Sequence, residues 1–294
     1  MIHPAIRGVC RSLTASDDAS GSIMKNSFKQ LDAILRGDAT RLSNLERGEI
    51  PVSARSLTAV VILLGVLYGL CMGSFAVVRA TLGDVGPGVP AAQDAGGQLV
   101  AAAVKLPLLF LLTLAVTLPS LYVFNALIGS RLRPRAVMRL LVSMLAVMLA
   151  VIASLGPIVA FFGLSTTSYP FMKLLNVAVC AAGGCLGLAF LLRTMHRIVL
   201  VQEVEDASGH ANPSTPADLS SDVSTLAPVR HPGERRARVV FTLWLLAFAL
   251  VGAQMAWVLR PFIGDPQRPF EWLRSRESNF FLDVFQALGQ LFGG

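Results

Sequence analysis

Five long runs of apolar residues, separated by polar segments, are the dominant pattern along this chain. None of the runs contains Asp, Glu, His, Lys or Arg. A helix needs about 20 apolar residues to cross a hydrocarbon core of about 30 Å. Because the runs are continuous and do not alternate between apolar and polar positions, they predict helices, so the expected fold is an all-α integral membrane protein with a bundle of five transmembrane helices. The runs cover residues 57–78, 106–129, 140–163, 174–192 and 239–259.

Two further segments have the spacing of amphipathic helices. In residues 23–36, apolar side chains recur on one helix face, and Gly37 can end that helix. This segment is expected either at the inner membrane surface or packed against the protein's own inner loops. After the fifth run, Ser278 can cap a helix with one wide apolar face, directed to the outer interface or to the bundle. The apolar residues are Met24, Phe28, Leu31 and Leu35 in the first segment, and Phe280, Phe281, Val284, Phe285, Leu288, Leu291 and Phe292 in the second.

The polar segments divide the chain into six parts. Residues 1–22 lack the apolar core of a signal peptide, and Met24 competes with Met1 as the start of translation. Residues 80–100 are rich in Gly, Ala and Pro and are expected to form an outer loop. Residues 202–237 have almost no large apolar side chains, which predicts a disordered linker. The predicted parts are a disordered leader (1–22), cytoplasmic amphipathic helices (23–56), a four-helix transmembrane block (57–197), a disordered cytoplasmic linker (198–238), the fifth transmembrane helix (239–259), and an outer-side turn and amphipathic helix (260–294).

Lys and Arg are concentrated in alternate loops. Four arginines lie in residues 131–139, between the second and third runs. Residues 80–104, between the first and second runs, contain neither Lys nor Arg. The positive-inside rule then predicts a multi-pass protein of a bacterial inner membrane, with a cytoplasmic N-terminus and a periplasmic or extracellular C-terminus. The formal net charge of +7 lies mostly on the inner face. Attraction to anionic inner-leaflet lipid explains it without nucleic acid.

Small residues recur at four-residue spacing in three of the five runs. Such a face lets two helices approach closely in lipid. Two uses are open, namely packing within one chain and contact with a second copy or another membrane protein. The predicted helix-packing residues are Gly65, Gly69 and Gly73 in the first run, Gly183 and Gly187 in the fourth, and Gly252 and Ala256 in the fifth.

Prolines and uncharged polar residues interrupt the apolar runs. Proline removes a backbone donor and kinks a helix, and neighbouring polar side chains can bond the freed carbonyl groups or line a cavity. A broken helix around a substrate site and a simple packed kink are both open for the second run. The candidate polar-cavity residues are Pro119, Ser120, Tyr122, Asn125, Asn176 and Gln254.

Four basic residues are expected at or near the outer ends of the runs. Basic residues on this side run against the positive-inside bias. They are candidates for contacts with anionic lipid headgroups, with snorkelling to the interface as the alternative. They are Arg79, Lys105, Lys173 and Arg260.

Motifs of catalytic and metal sites are missing from the sequence. There is no Walker A loop, zinc-protease motif, nucleophile elbow or dinucleotide fingerprint. The four cysteines form no C-x-x-C pair and are expected to behave as apolar side chains. Proton-coupled transporters and intramembrane proteases usually need ionisable groups within their spans. We therefore expect no enzyme activity, no catalytic residues, no cofactor and no metal.

Three stretches of the chain resemble a known family. They are Leu31–Ile50, Lys105–Gly129 and Gly252–Pro266, and the last (GAQMAWVLRPFIGDP) is the most specific. They are similar to a bacterial family of multi-span membrane proteins, some of whose members carry the label "actin-binding WH2 domain-containing". The five spans and a cytoplasmic N-terminus are also loosely similar to Yip1-type membrane proteins. The resemblance covers about residues 24–294 and implies a non-enzymatic role in membrane organisation or partner recruitment.

The expected function is a non-enzymatic inner-membrane scaffold, adaptor or accessory subunit of a membrane complex, packing through its small-residue helix faces. The expected partners are membrane lipids and either further copies of this chain or other membrane protein subunits, with no nucleic acid. The alternative is a small transporter, channel or lipid-handling protein that uses the Pro-kinked second span.

Overall fold

A computed structural model shows the chain as a bundle of helices. Within the described part of the chain there is no β-strand, and five helices are long and apolar enough to cross a membrane. The predicted all-α membrane fold is therefore confirmed. The structure describes residues 26, 28–36, 54–83, 91–127, 134–209, 232–260, 262–263, 270–273 and 280–292.

Eight helices are distinguished in the described ranges. A short helix, α1, precedes the five spans, the third span consists of two helices, and a final amphipathic helix follows the fifth span. Their bounds are α1 (28–35), α2 (Ala54–Thr81), α3 (Ala91–Leu127), α4 (Pro134–Ser154), α5 (Gly156–Ser165), α6 (Tyr169–Gly209), α7 (Pro232–Leu259) and α8 (Phe280–Phe292).

The spans do not pack in the order of the sequence. Contacts between neighbouring helices give the series α7, α3, α2, α4, α6, with α5 against α2 and α6. The fourth and fifth spans, α6 and α7, therefore lie at the two ends of the series. The final helix α8 contacts both α6 and α7, so it bridges the two ends of the series.

The glycine face of α2 brings α2 and α3 into backbone contact. A Cβ atom added at Gly69 would lie 2.5 Å from the carbonyl oxygen of Ala102. One added at Gly65 would lie 2.9 Å from Cβ of Pro107, and one at Gly73 2.9 Å from Cα of Leu99. Because real Cβ atoms do not approach so closely, this contact requires glycine.

The other predicted small-residue faces are also used within the chain. A Cβ atom at Gly183 would clash with Cγ1 of Ile152, and one at Gly187 would lie 3.0 Å from Cβ of Met148. These contacts join α6 to α4. A Cβ at Gly252 would lie 3.5 Å from Cγ2 of Thr113, at the α7–α3 contact. Gly183 and Gly187 therefore pack closely against α4 within the chain, whereas Gly252 is half-buried and in ordinary van der Waals contact with α3.

Two predicted irregular segments are partly helical, and the predictions are wrong there. The expected outer loop at 80–100 includes the first turns of α3, which starts at Ala91 because residues 91–103 are rich in Ala, the strongest helix former. Residues 198–209 of the predicted linker continue α6, because neither Gly nor Pro interrupts the chain before Gly209. Residues 232–238 belong to α7. The remainder of the predicted linker and residues 1–22 lie outside the described residues.

The third apolar run is not one helix. The chain turns at Leu155, whose N–H donates to the carbonyls of Val151 and Ile152 at 3.2 Å. Pro157 lies in the first turn of α5, where its missing N–H has no intrahelical partner to lose. The third run is therefore broken at Leu155, and this allows α5 to lie against both α2 and α6.

The N-terminal amphipathic helix packs against the protein itself. Leu31 and Ile34 are 6% and 3% exposed and join the main hydrophobic core. Phe28 and Leu35, predicted to share the buried face, are exposed, because the buried face is rotated toward Ile34. Met24 lies outside the described residues.

Candidate functional site

A cavity of about 350 Å³ lies where α8 bridges the ends of α6 and α7. Residues from α6, α7, α8 and the short segment after α7 line it. The lining combines aromatic rings, aliphatic groups, two cations and one carboxylate. The lining residues are Tyr169, Lys173, Asn176, Val177, Ala256, Trp257, Arg260, Phe262, Ile263, Phe280, Asp283, Val284 and Gln290.

Local sequence signals position the two cations at helix ends. The hydroxyl oxygen of Ser168 accepts a hydrogen bond from the N–H of Phe171 at 3.4 Å, which caps the start of α6 and sets Lys173 one turn inside it. Arg260 follows directly after the last residue of α7. Arg79 bonds the carbonyl of Thr166, so this end of the bundle is the predicted outer end.

Each cation of the cavity is held by a neighbouring side chain. The Nζ of Lys173 lies 3.0 Å from both carboxylate oxygens of Asp283 on α8, and 5.3 Å from the centre of the Tyr169 ring. The guanidinium carbon of Arg260 lies 3.6 Å from the centre of the Trp257 ring, a close stacking distance. Lys173 is therefore paired with a carboxylate, and Arg260 is stacked on an aromatic ring.

Trp257 also supplies a buried hydrogen-bond donor. The residue is 6% exposed, and its indole N–H has no hydrogen-bond partner among the residues that the structure describes. A buried donor without a partner costs about 1–3 kcal/mol. An acceptor that enters the cavity and reaches this N–H would remove that cost.

Asn176 links the cavity to the centre of the bundle. Its side-chain oxygen accepts a hydrogen bond from the hydroxyl of Tyr68 on α2 at 2.8 Å. The Sγ of Cys180, one turn further along α6, lies 3.8 Å from the same oxygen. One of the predicted polar-cavity residues therefore does line the cavity, and it also fixes α6 against α2.

The second-span group lies elsewhere. Ser120 donates to the carbonyl of Thr117 at 2.7 Å, and the indole N–H of Trp244 donates to that carbonyl and to the Ser120 oxygen at 3.1 and 3.2 Å. Trp244 is 1% exposed, so α7 packs against α3 here and bonds Thr117 and Ser120, whereas Pro119 itself is exposed. Gln254 is half-buried on α7 and does not line the cavity. The side chains of Tyr122 and Asn125 lie outside the described residues.

Trp244→Phe is expected to lower the free energy of unfolding by about 1 kcal/mol, because it removes the donor shared by Thr117 and Ser120 and keeps most of the ring volume. Thermal unfolding in detergent measures the change. Leu243→Phe, at an exposed neighbouring position, is the matched control and should leave stability unchanged. Equal stability of the Trp244 variant and the wild type would show that this bond does not hold α3 to α7.

The depth predicted for Lys105 is wrong. Its neighbours Ala103 and Pro107 contact Gly69 and Gly65 on α2. Those glycines flank the midpoint between Arg55 and Arg79, the charged residues that bound the apolar part of α2. Each lies about 15 Å along the helix from the nearer arginine and about 21 Å from the other. Lys105 therefore lies near the middle of the span and not at its outer end. The apolar helix that includes it runs from Ala95 to Ser120.

Lys105 and Arg79 are buried within the protein. Lys105 is 1% exposed; its ammonium donates to the carbonyl of Trp272 and lies 5.2 Å from the centre of that ring. Arg79 is 4% exposed and lies over the Phe75 ring. Of the four predicted lipid-contacting cations, only Lys173 and Arg260 line the cavity.

Several side chains of the site were not predicted from the sequence. Asp283 is the only acidic residue of α8, and Trp257 lies at the end of an apolar run, where aromatic residues often meet the interface. Both signals were readable, but neither indicated contact with α6. Within the described ranges, no group of three or more His, Cys, Asp or Glu side chains could hold a metal ion.

Comparison of the chain with protein-family models, with curated proteins and with solved structures gives no match. The resemblance to a bacterial multi-span family and to Yip1-type proteins therefore stays a prediction.

Proposed function

We propose that this is a non-enzymatic protein of a bacterial inner membrane that binds an amphiphilic membrane component in the cavity between α6, α7 and α8. The observation that carries the proposal is the cavity itself, placed at the ends of two spans and lined by aromatic rings and two cations. Its volume of about 350 Å³ falls in the usual range for small-ligand sites, about 300–1,000 Å³.

The two spans that flank the cavity are the least covered ones. In each of α6 and α7, only 22% of the apolar 18-residue stretch of the span is buried within the protein. The corresponding share in the other three spans is 44–56%. In a bilayer these exposed faces contact lipid chains. An amphiphile can thus keep its apolar part in the bilayer while its polar end enters the cavity.

The lining chemistry fits a ligand from the membrane interface. Aromatic rings such as Trp257 and Tyr169 are favoured at headgroup depth, where one side of the ring is apolar and the other is wet. Lys173 and Arg260 lie at the helix ends on the predicted outer side. The proposed ligand is therefore an outer-leaflet lipid or a related amphiphile.

Filling the cavity is expected to abolish ligand retention. Ala256→Phe adds a ring to a cavity-lining position on α7 and should reduce the amphiphile that co-purifies in mild detergent by at least about tenfold. Native mass spectrometry, followed by extraction and identification of the bound molecule, measures this. Ala249→Phe, on an exposed face of the same helix, is the matched control. Equal retention by the wild type and both variants would place the bound amphiphile elsewhere.

A scaffold function has one supporting observation. Since the predicted glycine faces pack within the chain, a partner face must lie elsewhere, and α6 exposes a second row of small residues. Small residues favour close helix contact more than contact with lipid. The row consists of Ala178, Ala181, Ala182 and Cys185.

Cys185 makes the scaffold function directly testable. It is a free, exposed cysteine on that row. Contact between two copies through this face should give an oxidant-dependent dimer in native membranes that Cys185→Ser abolishes. Absence of the dimer would count against self-association through α6.

A further inference from the structure

We infer that α8 inserts its exposed apolar face into the acyl chains of the leaflet at this end of the bundle, the predicted outer leaflet. The face consists of four large apolar side chains, which are 42–70% exposed although α8 packs against two spans. They are Phe281, Leu282, Phe285 and Leu288. The contact goes beyond the proposed function and does not depend on a ligand in the cavity.

The helix α8 is apolar on two opposite faces. Ala287 is 2% exposed, and Phe280 and Val284, which lie on the same side of the helix, line the cavity. Phe285 lies about 160° around the helix axis from Ala287, so it points away from the bundle. One face of α8 is therefore a wall of the cavity, and the opposite face carries the exposed side chains.

The polar side chains of α8 form only a narrow strip. They are Asp283, Gln286 and Gln290. Asp283 is paired with Lys173 at 3.0 Å, and Gln290 lines the cavity. A helix that is apolar around most of its circumference is buried, either in a protein core or in lipid. Since the bundle covers one face and leaves the other exposed, lipid is the expected surrounding of the second face.

The position of α8 along the spans matches the depth of one leaflet. The cavity that α8 lines extends along α6 from Tyr169 to Val177, the first turns of a candidate span. This distance is about 12 Å along the helix, whereas half of a hydrocarbon core is about 15 Å. The two spans next to α8 are also the least buried ones. The exposed face of α8 therefore continues a surface that contacts lipid chains.

Side-chain size favours lipid over a second copy of the chain. Helices that contact each other in a membrane present rows of small residues, because these let the backbones approach. The exposed face of α8 presents two Phe and two Leu side chains, and Gly289 is its one small residue. No row of small residues forms on it.

The exposed face also carries no charged residue. Binding of an amphipathic helix to a bilayer depends on its buried apolar area and on attraction to anionic lipid. Only the first of these contributes through this face. The contact is therefore expected to be independent of the charge of the lipid headgroups.

Photocrosslinking from α8 in the full-length protein tests the inference. Phe285 is replaced by p-benzoyl-phenylalanine, which on irradiation bonds to a nearby C–H group and so identifies what covers the face. In native membranes, mass spectrometry should find phospholipid attached through an acyl chain, at least about tenfold more than from the same group at Gln286 on the polar strip. Leu246, 62% exposed on α7, is the positive control for acyl-chain attachment.

Purified protein in nanodiscs tests the independence from charge. Adduct yields from position 285 should agree within about twofold between phosphatidylcholine and phosphatidylglycerol. Melting temperatures show whether the labelled proteins fold, and the same replacement at Phe281 carries the test if the one at Phe285 does not fold.

Three results would overturn the inference. A crosslinked dimer of the chain would assign the face to a second copy, and a crosslink to another protein would assign it to that protein. Attachment only through headgroups, or no lipid adduct where Leu246 gives one, would place the face outside the hydrocarbon. A strong preference for phosphatidylglycerol would mean that charge, and not apolar insertion, holds α8 at the membrane.

Discussion

Gly69→Leu is expected to prevent α2 and α3 from packing and to lower the free energy of unfolding by about 3 kcal/mol or more. A Cβ at this position would lie 2.5 Å from the carbonyl oxygen of Ala102 and 2.7 Å from Cα of Ala103. Both neighbours are backbone atoms, so the strain cannot be relieved by a side-chain rotation. The helices must separate, and the core between them opens.

Thermal unfolding in detergent and the yield of monodisperse protein measure the effect. Gly96→Leu is the matched control, since a Cβ at Gly96, on α3, meets nothing within 4 Å. A Gly69→Leu protein as stable as the wild type would show that α2 and α3 are not in backbone contact. If such a protein also lost a partner, the glycine face would be an interface between proteins.

Lys105→Met is expected to lower the free energy of unfolding by about 1–3 kcal/mol and to loosen the segment after α7. The ammonium of Lys105 bonds the carbonyl of Trp272, and Gln98 donates to the carbonyl of Phe262 at 3.0 Å. Non-helical backbone near a membrane interior needs such donors. Methionine fills the volume without supplying one.

Thermal unfolding and tryptic cleavage after Arg274 or Arg276 measure the two effects. Cleavage should become faster in the variant. Val104→Met, at the exposed neighbouring position, is the matched control. Unchanged stability and cleavage would show that Lys105 does not hold this segment.

The position of Lys105 in its span shows which features of a membrane helix the apolar pattern of the sequence predicts. The run of apolar residues correctly predicted a membrane helix, because its length and composition reflect the thickness of the bilayer. The run did not predict where that helix begins or how far Lys105 lies from the end of the span. Those depend on the contact of Gly65 and Gly69 with α3, which is a tertiary property.

The candidate site shows the same limit. Lys173, Arg260 and Asn176 were each predicted as functional candidates, because basic and polar residues at the ends of apolar runs stand out. Their meeting in one cavity was not predictable, since α6 and α7 lie at opposite ends of the packing series and α8 contacts both. Asp283 was missed because an acidic residue on an amphipathic helix is ordinarily exposed to water.

The small-residue faces show a different limit. The four-residue spacing of Gly65, Gly69 and Gly73 predicted close helix contact, and such contact is present between α2 and α3. Spacing alone does not distinguish a contact within one chain from one between two chains, because the same van der Waals packing serves both.

Mapping of a photoactivatable phospholipid on the protein in native membranes tests the central claim most directly. The headgroup carries the reactive group, and labelled peptides are identified by mass spectrometry. The cavity predicts labelling concentrated in residues 169–177, 256–263 and 280–290 and abolished by Ala256→Phe. Labelling spread evenly over the ends of all five spans, and unchanged in that variant, would contradict it.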